Sequence, residues 1–92
     1  MVGLAERDRK AAEQGDADAQ HNLGVTYATG LGASTDLIQA YAWVDLAAAA
    51  YPEGSERDDA AQMRDSVASR MTPDQIAQAK KMAAEWKPKP EQ

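Results

Sequence analysis

His21 is the one imidazole in the chain, and Asp18 stands three positions before it. An imidazole beside a carboxylate is the raw material of general acid–base chemistry. Such a pair also needs a nucleophile or an oxyanion donor next to it, and the flanking residues offer neither. A zinc site at His21 would require a cysteine or a second imidazole, and the composition contains no cysteine and no other histidine. The stretch "DADAQ", Asp16 to Gln20, lacks the spacing and the glycine of an EF-hand loop. Asp58 and Asp59 are neighbours that point in different directions from a helix, so with Asp65 they read as a solvated acidic face. No metal and no cofactor is expected, and the chain reads as a non-enzyme.

A second candidate for chemistry is "NLGVTYATGLG", Asn22 to Gly32, with three glycines in eleven positions. A Walker-type loop carries Lys and Ser or Thr directly after its last glycine, whereas Gly32 is followed by Ala33. A dinucleotide fingerprint needs a preceding strand, and a helical pattern precedes these glycines. They are therefore architectural. Gly24 in a helix interior costs roughly 1 kcal/mol against alanine, which close contact with a neighbouring helix near Ala40 would offset. Gly30 and Gly32 suit backbone conformations that β-carbons disfavour, turning the chain from one helix into the next.

The elements that carry these residues follow from composition. Ninety-two residues make one domain with an adequate but not generous core. Twenty alanines and no phenylalanine point to an all-α protein whose helices approach closely. A net charge of −5 argues against nucleic acid, because phosphate contacts need clustered Lys and Arg. Lys80, Lys81, Lys87 and Lys89 read instead as favourable charge near a helix C-terminus. No apolar run approaches the ~20 residues that span a bilayer, so membrane insertion is not expected. The opening "MVGLAERDRK" has charges where a secretion signal needs an apolar core. The compartment stays open: cytoplasmic if the chain is complete, periplasmic if a leader has been removed.

Five helices are predicted. The first spans residues 4–14 and stops at Gly15. Asp16 caps the second, 17–29. Ser34 or Thr35, with Asp36 in the first turn, opens the third, 36–50, which "YPEG" breaks. Ser55 and Asp58 resemble a capping box for the fourth, which runs to about Arg70. "TPDQ", Thr72 to Gln75, is the sharpest start signal, with a capping Thr, Pro at the first helical position and Gln at the box position. The fifth helix runs to about Lys87, and residues 88–92 read as a disordered tail. Apolar stripes fall at Leu37, Ala40, Tyr41, Val44 and Ala48, at Ala60, Met63, Val67 and Met71, and at Ile76, Ala79, Ala83 and Trp86. Trp43 beside the first of these predicts a third helix buried on two sides.

The segment "AAEQGDADAQHNLGVTYATGLGASTDLIQAYAWVDLAAAA" resembles a Sel1-like repeat, a helix–turn–helix relative of the tetratricopeptide repeat. The matching positions are Gly15, Ala17, Ala19, Gln20, Leu23, Gly24, Tyr27, Gly30, Gly32, Asp36, Ala40, Trp43 and the Ala47–Ala48 pair. Gly15 and Gly54 stand 39 positions apart, a period suited to a helical solenoid unit. Ala33 departs from the valine usual in the family. The resemblance implies a short right-handed α–α superhelix over residues 1–87. It has one full repeat at about 15–54, a partial repeat helix at 4–14 and a terminal helix pair at 55–87.

The same resemblance places the first helix of the unit on a concave face. Its outward positions here are Asp18, His21, Asn22, Val25 and Thr29. His21 projects roughly opposite Leu23 and reads either as surface or as a partner contact. Polar groups around one exposed valine suit a protein or peptide contact. The expected function is an interaction scaffold in a bacterial assembly or stress pathway. The alternative is a self-association element giving a homodimer through its exposed repeat ends.

Overall fold

A computed structural model describes residues 4–89. Its five helices are α1 (Leu4–Glu13), α2 (Ala17–Thr29), α3 (Leu37–Ala50), α4 (Ser55–Ala68) and α5 (Pro73–Glu85), and no strand occurs among the described residues. The all-α class and the helix count agree with the sequence reading. No helix among these residues is long and apolar enough to cross a membrane. The predicted tail falls largely on residues 90–92, outside the described residues. Within 88–89, the Lys89 N–H donates to the Glu13 carbonyl at 2.7 Å and the Lys89 ammonium pairs with the Glu13 carboxylate.

Local chemistry sets most of the boundaries. Asp16 caps α2 by accepting from the Ala19 N–H at 2.9 Å. Thr72 and Gln75 form a reciprocal capping box at the start of α5, with Pro73 at the first helical position. Two predicted caps are corrected. Asp36, rather than Ser34 or Thr35, caps α3, its carboxylate accepting from the Gln39 N–H at 3.1 Å. Its own N–H reaches back to the Tyr27 carbonyl at 2.9 Å, which pins it at the helix mouth. The Ser55–Asp58 box does not form, because Ser55 is already the first helical residue and Gly54 occupies the cap without a side-chain bond. Glu56 and Asp58 still favour the first turn through the helix dipole. The fifth helix ends at Glu85, short of Lys87, where Trp86 turns extended and meets Trp43 edge to face at 6.3 Å.

α3 is the central element, packed against α2, α4 and α5, while α1 packs on α2. Ala40, Tyr41, Ala42, Trp43, Val44, Ala47 and Ala48 are all buried, so nearly the whole circumference of its middle turns is covered. The main core draws in Ala12 from α1, Leu23 and Tyr27 from α2, Val67 from α4 and Ala79 from α5. A second cluster joins Ala47, Ala48 and Tyr51 to Ala60, with Ala17 against it. The three predicted stripes therefore face inward, around Val44, Val67 and Ala79.

Two glycines make this packing possible. A β-carbon on Gly24 would lie 3.1 Å from both the Ala40 carbonyl oxygen and Val44 Cγ1, and 3.2 Å from the Val44 nitrogen. Two of those three atoms are backbone and cannot swing aside. Gly30 takes the left-handed C-cap of α2 at φ 76°, where its N–H bonds to the Thr26 carbonyl. A β-carbon there would sit 2.6 Å from Thr35 Oγ1. Tyr27 is buried, but its ring faces Arg9, whose guanidinium lies 5.7 Å from the ring centroid and donates to the hydroxyl. Tyr27 thus braces α1 against α2.

The Gly24 contact sets two opposing effects against each other. Alanine gains about 1 kcal/mol of helix propensity, while overpacking costs about 1–3 kcal/mol. Gly24→Ala is expected to lose about 1 kcal/mol net, and Gly24→Leu to leave the domain unfolded. Urea unfolding followed by far-ultraviolet circular dichroism measures both; an alanine variant more stable than the parent would show that the two helices are not held at this separation.

Candidate functional site

Each side of α2 has a different occupant. One side meets α3 through Gly24, and Leu23 and Ala28 are buried in the core. A second meets α1, where buried Gln20 donates from Nε2 to the Ala12 carbonyl at 3.1 Å. That bond ties the last turn of α1 to the first turns of α2. What remains is the stripe Asp18, His21, Asn22, Val25 and Thr29, spaced by threes and fours along one face. Asp18, Asn22 and Thr29 are exposed, and His21 and Val25 are half-buried. These five residues share one side of α2.

The strip is anchored at its first end by a residue from another helix. Tyr51, at the C-cap of α3, is buried and donates its hydroxyl to Asp18 Oδ1 at 2.5 Å. The His21 ring stands edge-on to Tyr51, with centroids 6.5 Å apart and planes at 80°. His21 is half-buried with its ring against Tyr51, where the sequence reading had it either as surface or as a partner contact. Burial first, then the bond to Asp18 and the negative charges of Asp18, Glu56 and Asp16, raise the Tyr51 phenol well above the ordinary tyrosine range. A phenol held that firmly in its protonated form is a hydrogen-bond donor at neutral pH and not a nucleophile. Among the described residues no group of three His, Cys, Asp or Glu side chains is placed to hold a metal ion.

The other end of the strip is apolar. Thr29 Oγ1 donates to the Val25 carbonyl at 2.9 Å and accepts from the Leu31 N–H at 3.2 Å. Leu31, between Gly30 and Gly32, is 78% exposed, a high value for a leucine. Sequence reasoning treated this segment purely as a turn and missed it. The signal was present, since neither flanking glycine has a side chain to cover the leucine. The strip thus runs from an acidic end at Asp18, with Asp16 and Glu56 near the Tyr51 hydroxyl, to an apolar end at Val25 and Leu31.

The Tyr51 latch has a pH signature. Its folded pKa lies above the unfolded value near 10, so its stabilising contribution is whole below about pH 10 and is lost as pH rises beyond that. Tyr41, raised chiefly by burial and then by Asp45, acts in the same direction. Tyr51→Phe is expected to lose about 1 kcal/mol at neutral pH with the hydroxyl bond. It should also show a shallower fall in stability than the parent above pH ~10. Urea midpoints at neutral and alkaline pH test this, and parallel pH profiles for the two proteins would refute it.

Compared with known proteins, the chain matches no family model, no curated protein and no solved structure.

Proposed function

We propose that this chain is a protein–protein interaction module of Sel1-like, tetratricopeptide-like type. In this reading it is a short right-handed α–α superhelix that holds a protein or peptide partner and catalyses nothing. The observation that carries the reading is the outer strip of α2. The helix is packed on two sides by α1 and α3, yet presents Asp18, Asn22, Val25 and Thr29 along one open face that ends in exposed Leu31. The intimate α2–α3 pairing at Gly24 is what a helix–turn–helix repeat of this kind would require.

The chemistry of the strip describes the partner. The carboxylates at its first end favour a lysine or arginine, while Val25 and Leu31 favour an aliphatic or aromatic group about three turns away. Interfaces commonly join an apolar anchor to polar groups that set register. The strip is narrow, so affinity rests on a few residues.

A bait carrying Val25→Glu tests the reading. The substitution lies on a half-buried surface position and should change stability by no more than about 0.5 kcal/mol. Recovery of the partner captured by the parent bait should fall at least about tenfold, the equivalent of about 1.4 kcal/mol. Equal recovery by both baits would remove the α2 face from the interaction. Light scattering on the same samples addresses self-association, and a mass that rises towards two chains with concentration would favour the homodimer.

A further inference from the structure

A cleft of about 290 Å³ lies between α3 and α4, lined by Asp45, Ala48, Ala49, Arg57, Ala61 and Arg64. It contains no residue of α2 and is separate from the strip described above. We propose that this cleft is a carboxylate-binding site that receives the glutamate or aspartate side chain of an acidic partner segment.

Three observations support the assignment. Arg57 and Arg64 are seven residues apart on α4, two helical turns, so both guanidinium groups rise on the same side of the cleft. Arg64 is held in place, with Nη1 3.3 Å from Asp45 Oδ1 and Nε 3.4 Å from Asp65 Oδ1. Those bonds leave Nη2 as a donor, since a guanidinium offers five N–H groups. Arg57 is exposed and has no hydrogen-bond or ion-pair partner among the described residues. It is the cation that a ligand can claim without displacing anything.

The lining decides which anion fits. Arg64 is already paired with Asp45 and with Asp65, so Arg57 is the lining cation left to pair, and a monoanionic carboxylate matches its one charge. A dianionic phosphate would face Asp45, with Asp65 close behind on Arg64. Ala48, Ala49 and Ala61 present only methyl groups, leaving room for the methylenes of an acidic side chain to lie against them. The volume sits at the low end for small-molecule sites, which suits a side chain better than a cofactor. The protein's net charge of −5 opposes anions at long range. At physiological ionic strength, however, screening over about 8 Å leaves the local arginines to decide.

The test is a nuclear magnetic resonance titration of the full chain with acetyl-Ala-Glu-Ala-amide. Parallel titrations use acetyl-Ala-Gln-Ala-amide, sodium acetate and inorganic phosphate. The Glu peptide is expected to shift the amides of Ala48, Ala49 and Ala61 and the Arg57 side-chain Nε–H, with millimolar affinity. The Gln peptide should leave them unmoved, and acetate and phosphate should bind more weakly. Arg57→Gln should weaken the Glu peptide at least about fivefold, as expected when a charge-assisted bond is lost. Ala49→Leu, at an exposed position, should block it by filling the cleft. Absence of shifts, equal shifts from the Gln peptide, or unchanged affinity in Arg57→Gln would overturn the site. Phosphate as tight as the peptide would overturn the carboxylate preference, and acetate as tight would overturn the peptide as its source. Val25→Glu should leave these shifts intact, so failure here is distinct from failure at the α2 face.

Discussion

At Gly24 the backbone of α2 lies so near α3 that one added methyl would press on the Ala40 carbonyl and on Val44. Most of the arrangement depends on that separation. It lets Leu23 and Ala40 reach full burial in a core with few large side chains. It also sets how far the end of α3 stands from the start of α2, and so whether Tyr51 reaches Asp18. A chain with twenty alanines and no phenylalanine gains cohesion from many close atom contacts, each small, that decay steeply with distance. The glycine therefore exchanges a local helix penalty for contact along the whole helix pair.

Around this pair the remaining helices are fastened by polar groups at their ends. Gln20 holds the Ala12 carbonyl of α1, and Arg70, just past α4, donates to the Ala28 carbonyl of α2 at 3.2 Å. Lys89 closes on Glu13, and Trp86 lays its ring against Trp43. Three of these contacts engage carbonyls in the last turns of helices or just short of them, where intrahelical partners run out. The bonds to the Ala28 and Glu13 carbonyls satisfy groups that would otherwise need water, while Gln20 adds a second donor to the Ala12 carbonyl beside the Gly15 N–H. The buried Gln20 is half satisfied, since its Nε2 is bonded and its Oε1 has no partner among the described residues.

The open faces that result differ in chemistry. The outer strip of α2 grades from carboxylates to an exposed leucine, while the α3–α4 cleft sets arginines over a floor of alanines. Two faces of unlike charge on one small domain are what the proposed reading would use to hold more than one partner segment.

Helix positions were legible in the sequence because the signals are local. Asp16, Thr72 with Gln75, and the left-handed Gly30 each act within a few residues, so their geometry follows from neighbours in the chain. The inward stripes were legible for the same reason, and so was the α2 strip, since helical periodicity sorts a face wherever it ends up. Asp36 and Gly54 were misjudged because several residues compete at those mouths, and contacts such as that of Asp36 with Tyr27 choose between them. Tyr51 and Asp18 are 33 positions apart, Arg70 and Ala28 are 42, and Asp45 and Arg64 are 19. No periodicity links such pairs. They meet only once α3 is packed between α2 and α4, so the latch, the half-burial of His21 and the arginine cleft were decided by the tertiary structure. The sequence by itself determined where the helices fall along the chain and which stripes of α3, α4 and α5 turn inward.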